Sequence, residues 1–307
     1  MKVVVIDDDP TGSQTVHSCL LLLRWDVEAM RGGLRHGSPL LFVLADTRSL
    51  TPDAAAKRNR EIVTNLEKAL AEEGLDRSEI QLVSRGDSTL RGHGVVEPAV
   101  LESCFGPFAA TFHVPAFLEG GRTTVNGVHL LHGEPVHTTP FAKDRLFGFS
   151  TSDLPHWLEQ KSAGAISAAD VVKVSLADLD QASKGGMPHL IQRLAALQGN
   201  AAVVVDAEHQ SQLAALVAAV LALKGERRFL FRSAASLVKA LADPGPQPLD
   251  SAGLARLRRR GPNGEKLPGL VMVGSHVPLA DQQLMRLLRD PAAPALNCLC
   301  DASLGCW

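Results

Sequence analysis

Short apolar runs recur along the chain at Lys2–Ile6, Leu40–Ala45, Ile80–Ser84, Ala110–Val114, Val171–Ser175, Ala201–Asp206, Arg228–Phe231 and Gly269–Val273. Each has strand length and β-rich composition. Between several of them the apolar positions shift to helical spacing. Pro52–Glu73 carries Ala55, Ile62, Leu66, Ala69 and Leu70 at that spacing. It opens with Thr51-Pro52, a capping hydroxyl followed by a proline suited to the first helical position. Ser152–Lys161, Met187–Leu197, Ser211–Leu223 and Ala234–Ala242 read the same way. Continuous apolar strands alternating with helices predict an α/β fold, a mainly parallel sheet flanked by helices. Such sheets bind ligands beyond the carboxyl ends of their strands, where Asp7–Asp9 and Arg85–Asp87 fall.

The alternation breaks at Asp243–Pro268, which holds five prolines and the basic run Arg256–Arg260. It reads as an interdomain linker with a short helix inside. Gly269–Pro278 then reads as a strand running into a Gly-Ser turn, and Leu279–Leu288 as a helix. The expected organisation is a first domain over 1–242, a linker over 243–268 and the beginning of a second α/β domain over 269–307. About 40 residues are too few for an independent domain of that class, so the second domain is expected to be incomplete.

Composition narrows the function classes. The chain has 307 residues, 45% hydrophobic and 21% charged, with a net charge of −2. That balance implies no global attraction to nucleic acid or to an anionic membrane. The apolar run Leu213–Leu223 is too short to span a bilayer. Acidic residues follow the first apolar positions at once, unlike a secretory leader. Five cysteines without paired metal spacing fit a reducing, cytoplasmic setting, and Cys298, Cys300 and Cys306 read as an incidental tail.

Three stretches carry candidate chemistry. "VVVIDDDPTG" (Val3–Gly12) ends an apolar strand in three carboxylates, which repel one another and call for a cation or a proton to accept. Asp7-x-Asp9-x-Thr11 matches the D-x-D-x-T loop of haloacid-dehalogenase-type phosphatases, where the first Asp attacks phosphorus and the second is acid/base. That scheme also needs a lysine and a late acidic pair, and only Asp206 ends a later strand. Capping accounts for any single Asp here, though not for all three. "SRGDSTLRGHG" (Ser84–Gly94) combines Arg85, Asp87, Ser88 and Arg91 with three glycines after a strand, suiting a carboxylate or phosphate. "PAFLEGGRTTVNGVHLLHGEPV" (Pro115–Val136) places Arg122 at the start of a hairpin turning through Asn126-Gly127. His129, His132 and His137 are spaced onto different faces, which disfavours a metal cage. Neither glycine-rich stretch matches a P-loop or dinucleotide fingerprint.

Together these stretches resemble the four-carbon acid sugar kinase family, the DUF1537 group. The likeness runs on through "FGFSTSDLPHWLEQK" and "FRSAASLV" to "GLVMVGSHVP", over essentially residues 1–290. It implies an N-terminal α/β domain that binds the sugar acid and a C-terminal domain that binds ATP, with the active site between them. It implies ATP-dependent phosphorylation of threonate- or erythronate-type acids, with Mg2+ bridging phosphates. Asp8, Asp9, Thr11 and Gly12 map onto the family's Asp-Asp-x-Thr-Gly. One of Asp8 and Asp9 then orients or deprotonates the attacking hydroxyl, and the other lies near Mg2+. Arg85, Asp87, Ser88, Arg91, Arg122 and Thr11 become sugar-acid ligands, and Gly274 and Ser275 contact ATP phosphates. The expected partner is a small sugar acid, with a homo-oligomer possible. Two alternatives stand beside the kinase: a sugar-acid-binding remnant without catalysis, and the phosphatase using Asp7 and Asp9.

Overall fold

The computed structural model describes residues 1–269, 271, 273 and 278–290. Seven of its strands sit on the apolar runs between Lys2 and Phe231. In chain order the strands are β1 (Lys2–Asp7), β2 (Leu20–Leu22), β3 (Leu40–Leu44), β4 (Ile80–Arg85), β5 (Ala110–Val114), β6 (Arg122–Val125), β7 (Val128–Leu131), β8 (Glu134–Pro135), β9 (Val172–Val174), β10 (Ala201–Val205) and β11 (Phe229–Ser233). The helices between and after them are α1 (Val27–Arg35), α2 (Pro52–Glu72), α3 (Val96–Phe105), α4 (Leu154–Lys161), α5 (Leu176–Gln181), α6 (Met187–Ala195), α7 (Gln210–Ala222), α8 (Ala235–Ala242), α9 (Ser251–Leu257) and α10 (Pro278–Leu288).

Eight strands form one sheet in the order β2-β3-β1-β4-β11-β5-β10-β9, parallel at every pairing. After β1 the chain lays β2 at the sheet edge, fills the place between them with β3, then crosses back to put β4 on the other side of β1. That reversal opens a crevice at the carboxyl ends of β1 and β4. The last strand, β11, slots between β4 and β5. Register then sets Asp7 opposite Arg85, Arg85 opposite Ser233, and Arg232 opposite His113.

Alternation along the strands makes two apolar faces. Val3, Val5, Phe42, Phe112 and Phe231 point to one, where Leu179, Leu190, Leu216 and Leu237 of α5, α6, α7 and α8 cover them. Val4, Ile6, Leu41, Leu82 and Leu230 point to the other, against Met30 of α1, Ile62 and Leu66 of α2, and Leu101 of α3. A separate cluster joins Trp157 and Leu158 of α4 to Leu90, Val136 and Phe149.

The expected hairpin is β6–β7, extended by β8 into a three-stranded antiparallel sheet. Asn126 (φ 53°) and Gly127 (φ 80°) both take left-handed conformations, as a two-residue primed turn requires. Asp206, just beyond β10, accepts hydrogen bonds from the Asn126 and Gly127 amides at 2.9 and 2.8 Å. The hairpin is thereby tied to the carboxyl edge of the main sheet.

Residues Met1–Pro246 make one compact unit and Gln247–Trp307 a second. Within the second, Asp250 caps α9 by accepting from the Gly253 amide at 2.7 Å, and α10 follows the expected helix closely. The strand expected over Gly269–Val273 is not paired at the described positions Gly269, Val271 and Val273; Leu270 and Met272 lie outside the described residues.

Candidate functional site

The crevice is built from segments that follow β1, β3, β4 and β11. β1 delivers the three aspartates in succession. Asp7 ends the strand, and Asp8 turns over the edge with its amide donating to the Arg85 carbonyl at 3.2 Å. Both are buried to within 1% of full burial. Gly12 folds back so closely on the Asp7 carboxylate that a Cβ there would overlap it.

Repulsion among the carboxylates is offset by guanidinium groups. Arg85 Nη1 lies 3.3 Å from Asp7, 3.5 Å from Asp8 and 2.7 Å from Asp9. Arg48, from the loop after β3, binds Asp8 at 2.7 Å and also pairs with Asp9. Arg232 at the end of β11 approaches Asp8 at 3.8 Å, pairs with buried Glu97 of α3 and donates to Ser84 Oγ at 2.8 Å. Gly86 leaves the room that the Arg232 guanidinium occupies.

The three carboxyl groups differ because their surroundings do. Burial pushes Asp7 up to about 7, Arg85 opposes this, and Asp8 and Asp9 reinforce it. Burial also pushes Asp8 up, against Arg48 and Arg232. Asp9 is partly exposed; burial pushes it up, but Arg48, Arg85 and the Thr11 hydrogen bonds outweigh that and hold it below the usual range. Asp9 Oδ1 accepts from the Thr11 amide at 2.9 Å and its hydroxyl at 2.6 Å.

Beside this cluster, Asp87 binds Arg91 Nε at 2.6 Å. Burial pushes the Asp87 carboxyl up, yet Arg48 and Arg91 pull it below the ordinary range. Arg91 also stands over the Phe141 ring, 4.9 Å from its centre. Arg122, at the root of the hairpin, donates to the Gly120 carbonyl at 2.5 Å, while its buried Nε has no partner. Burial draws the Arg122 guanidinium below its usual range, with Asp87 opposing and Arg91 reinforcing. Arg91 thus pairs directly with Asp87, while Arg48 and Arg122 act on the same carboxylate from farther away. Ser88 is buried in the same loop, and its carbonyl faces His129 Nε2 at 2.7 Å. His129 Nδ1 meets Thr124 Oγ1 at 3.0 Å, whereas His137 engages Ser152.

A recess of about 30 Å3 lies beneath Asp87 and Arg91, lined also by His113, Trp157, Arg232 and Ser233. That is room for one water-sized group. Trp157 Nε1 and Ser233 Oγ are buried without a hydrogen-bond partner.

The structure therefore brings together Asp8, Asp9, Thr11, Arg85, Asp87, Ser88, Arg91 and Arg122. Arg85 is spent on the three aspartates and is 4% exposed. Gly274 and Ser275 lie outside the described residues. Asp7 is equally enclosed, so it presents no accessible oxygen to a phosphoester, and the phosphatase reading gains nothing from this geometry. Asp206, the late acid of that scheme, is committed to the hairpin turn. Sequence reading missed Arg48, Glu97 and Arg232. Arg232 directly follows an apolar run, so its place at a strand end was a usable signal; Arg48 and Glu97 gave none.

Asp7, Asp8 and Asp9 each offer an oxygen within 4.8 Å of the others. An all-carboxylate donor set suits a hard cation such as Mg2+ and no soft one. The donor chemistry fits, with Arg48 and Arg85 drawing on the same oxygens.

Comparison with known proteins identifies the family of this chain. Residues 3–241 match the family model described as a sugar-binding N-terminal domain. A D-threonate kinase of Cupriavidus necator is 31% identical over 239 residues, 75% of this chain and 48% of that protein. A D-erythronate kinase of Heliobacterium modesticaldum is 27% identical over 294 residues, 92% of this chain and 59% of that one. The chain spans about half the length of the curated relatives it matches. Two solved DUF1537 structures share the fold. One, from Haemophilus influenzae, has a TM-score of 0.58 at 18% identity, covering 78% of this chain and 55% of its own. The other, from Bordetella bronchiseptica, was solved with bound citrate as a domain-swapped dimer; its TM-score is 0.61 at 24% identity, covering 78% and 56%. A family-model match over more than three quarters of the chain, joined to these relatives, places the chain in the four-carbon acid sugar kinase family through its sugar-binding N-terminal domain.

Proposed function

We propose that this chain carries the acid-sugar site of an ATP-dependent kinase acting on threonate- or erythronate-type four-carbon acids. The observation that carries this reading is the buried, unpartnered Nε of Arg122, a guanidinium within the electrostatic reach of the Asp87–Arg91 pair. A substrate carboxylate relieves that imbalance by accepting charge-assisted hydrogen bonds from both guanidiniums. Asp87 and Ser88 then face hydroxyls of the bound acid.

Asp9 is the aspartate that reaches solvent, and Thr11, Arg48 and Arg85 fix its carboxylate. Held ionised and below the usual range, it serves best as a hydrogen-bond acceptor that aims the attacking hydroxyl. Asp8, braced by Arg48 and Arg232, holds the loop rigid beneath it. Positioning of this kind supplies much of the catalysis in phosphoryl transfer. Mg2+ supplied with ATP would be held by Asp9, the one of the three that reaches solvent, and would neutralise charge on the transferring phosphoryl group. The second unit, with Gly274 and Ser275, is assigned to the nucleotide side of this reaction.

The test is calorimetric titration of the 307-residue chain with D-threonate and D-erythronate, with and without Mg-ATP, followed by assay for ADP. Binding of one acid, weakened at least about tenfold by Arg91→Ala, is the expected result. No binding of either acid, or binding indifferent to Arg91→Ala, overturns the assignment. ADP formation dependent on the acid would extend it to the full transfer reaction.

A further inference from the structure

A second cavity lies away from the aspartates. A groove of about 620 Å3 opens between α3 and the segment 162–170, with β5 and β10 as its floor. That volume is typical of small-molecule sites. Pro98 and Ile166 make apolar walls, and Ala202 keeps the floor low. Thr111 on the floor is satisfied, its hydroxyl donating to Asn200 Oδ1 at 2.7 Å.

Three titratable side chains of the groove form no ion pair among the described residues. His113, two residues along the same strand face, is 5% exposed and lines the groove. Neither of its ring nitrogens has a hydrogen-bond partner among the described residues. Burial pulls the imidazole down to about 3, with Arg232 adding to the effect, so the ring is neutral and can accept a hydrogen bond. Glu102 on the α3 wall and Asp170 on the opposite wall carry carboxylates, and neither forms an ion pair among the described residues. Burial pushes the Glu102 carboxyl up despite the Phe108 amide, which donates to it at 3.1 Å, and the more distant Arg228.

We infer that this groove is a binding site for a small organic cation, a protonated amine on an apolar body. The apolar walls and floor take the body, Glu102 and Asp170 attract the ammonium group, and His113 accepts one of its N–H bonds. An anion would meet two carboxylates, and a sugar acid would leave the apolar walls unused. The site is thus distinct in chemistry from the arginine-lined crevice. His113 also lines the recess beneath Asp87 and Arg91.

The test uses the full chain and three probes of one shape: 2-phenylethylamine, 2-phenylethanol and 3-phenylpropanoate. Binding is read by ligand-observed NMR titration. The amine is expected to bind saturably and more tightly than the alcohol, with the acid weakest. Glu102→Gln with Asp170→Asn should weaken the amine about tenfold and leave the alcohol nearly unchanged. His113→Phe should weaken both amine and alcohol. Ala165→Trp, at an exposed position on the rim, should block all three while the thermal unfolding midpoint stays at the wild-type value. Equal binding of the three probes, preference for the acid, no saturation at millimolar concentration, or amine binding that survives Ala165→Trp in a folded variant would each overturn the proposal.

Discussion

Asp7 and Arg232 illustrate how the buried charges of this site set their own energetics. Folding raises the Asp7 carboxyl from the ordinary aspartate range to about 7, chiefly by burial. A raised acid favours the native state when protonated, so its contribution is full below the ordinary aspartate range and is lost as pH rises through about 7. The swing is about 4 kcal/mol. Asp7→Asn should therefore flatten the fall in stability between about pH 4 and about pH 7, measured by urea unfolding across that range. Asp9 and Asp87 act in the opposite sense. Their contribution is present above the ordinary aspartate range and lost in acid, so it does not mask the Asp7 window. A variant with the wild-type slope would show that Asp7 is ionised in the native state near neutral pH. Arg232→Met removes the guanidinium paired with Glu97 and leaves that buried carboxylate without its cation, while Asp8 keeps Arg48 and Arg85. The expected cost is about 3–5 kcal/mol in unfolding free energy; a loss under about 1 kcal/mol would mean water replaces the guanidinium.

At the scale of elements, the hairpin matters because it brings Arg122 to the crevice. Its turn is held by one carboxylate, Asp206, through the Asn126 and Gly127 amides. Asp206→Ala should cost about 2 kcal/mol and speed amide exchange at Asn126 and Gly127. Acid-sugar affinity should fall with it, since Arg122 loses its rigid support. Unchanged exchange at the turn would show that β8 and the bridge between Thr124 and Ala207 hold the hairpin without Asp206. Elements missing from the sequence reading share a cause. β2 has only three residues, too few for alternation to register. α1 contains Gly32 and Gly33, which weaken a helical pattern, and depends on Asp26 accepting from the Ala29 amide at 3.0 Å. α3 starts at Val95 without a side-chain cap, so no start signal marks it.

At the scale of the whole molecule, all three apolar clusters lie within the first compact unit. In the second unit Leu254, Leu257, Leu279, Met285 and Leu288 are exposed. A chain ending at Pro246 should consequently fold on its own, with the unfolding midpoint of the first transition unchanged and acid-sugar affinity preserved. Failure of that shorter chain to fold would mean the second unit supplies stability to the first. No helix among the described residues is long and apolar enough to cross a membrane.

The sequence by itself determined the class of this fold. Apolar runs of strand length, alternating with helical spacing, admit few arrangements other than a covered parallel sheet, because each run must bury both faces. It also located the crevice, since Asp7–Asp9, Arg85–Asp87 and Arg122 lie next to strand ends or a turn that local composition marks. The tertiary structure decided how those charges are shared. Strand order inserts β11 between β4 and β5 and so brings Arg232 to Asp8 and Glu97, residues far apart in the chain. Arg48 reaches the same carboxylates only because β3 lies beside β1. Which arginine neutralises an aspartate and which remains open to a ligand depends on through-space distance and burial. Neither is written in the order of residues, because hydrophobic periodicity specifies faces of elements and not which elements become neighbours.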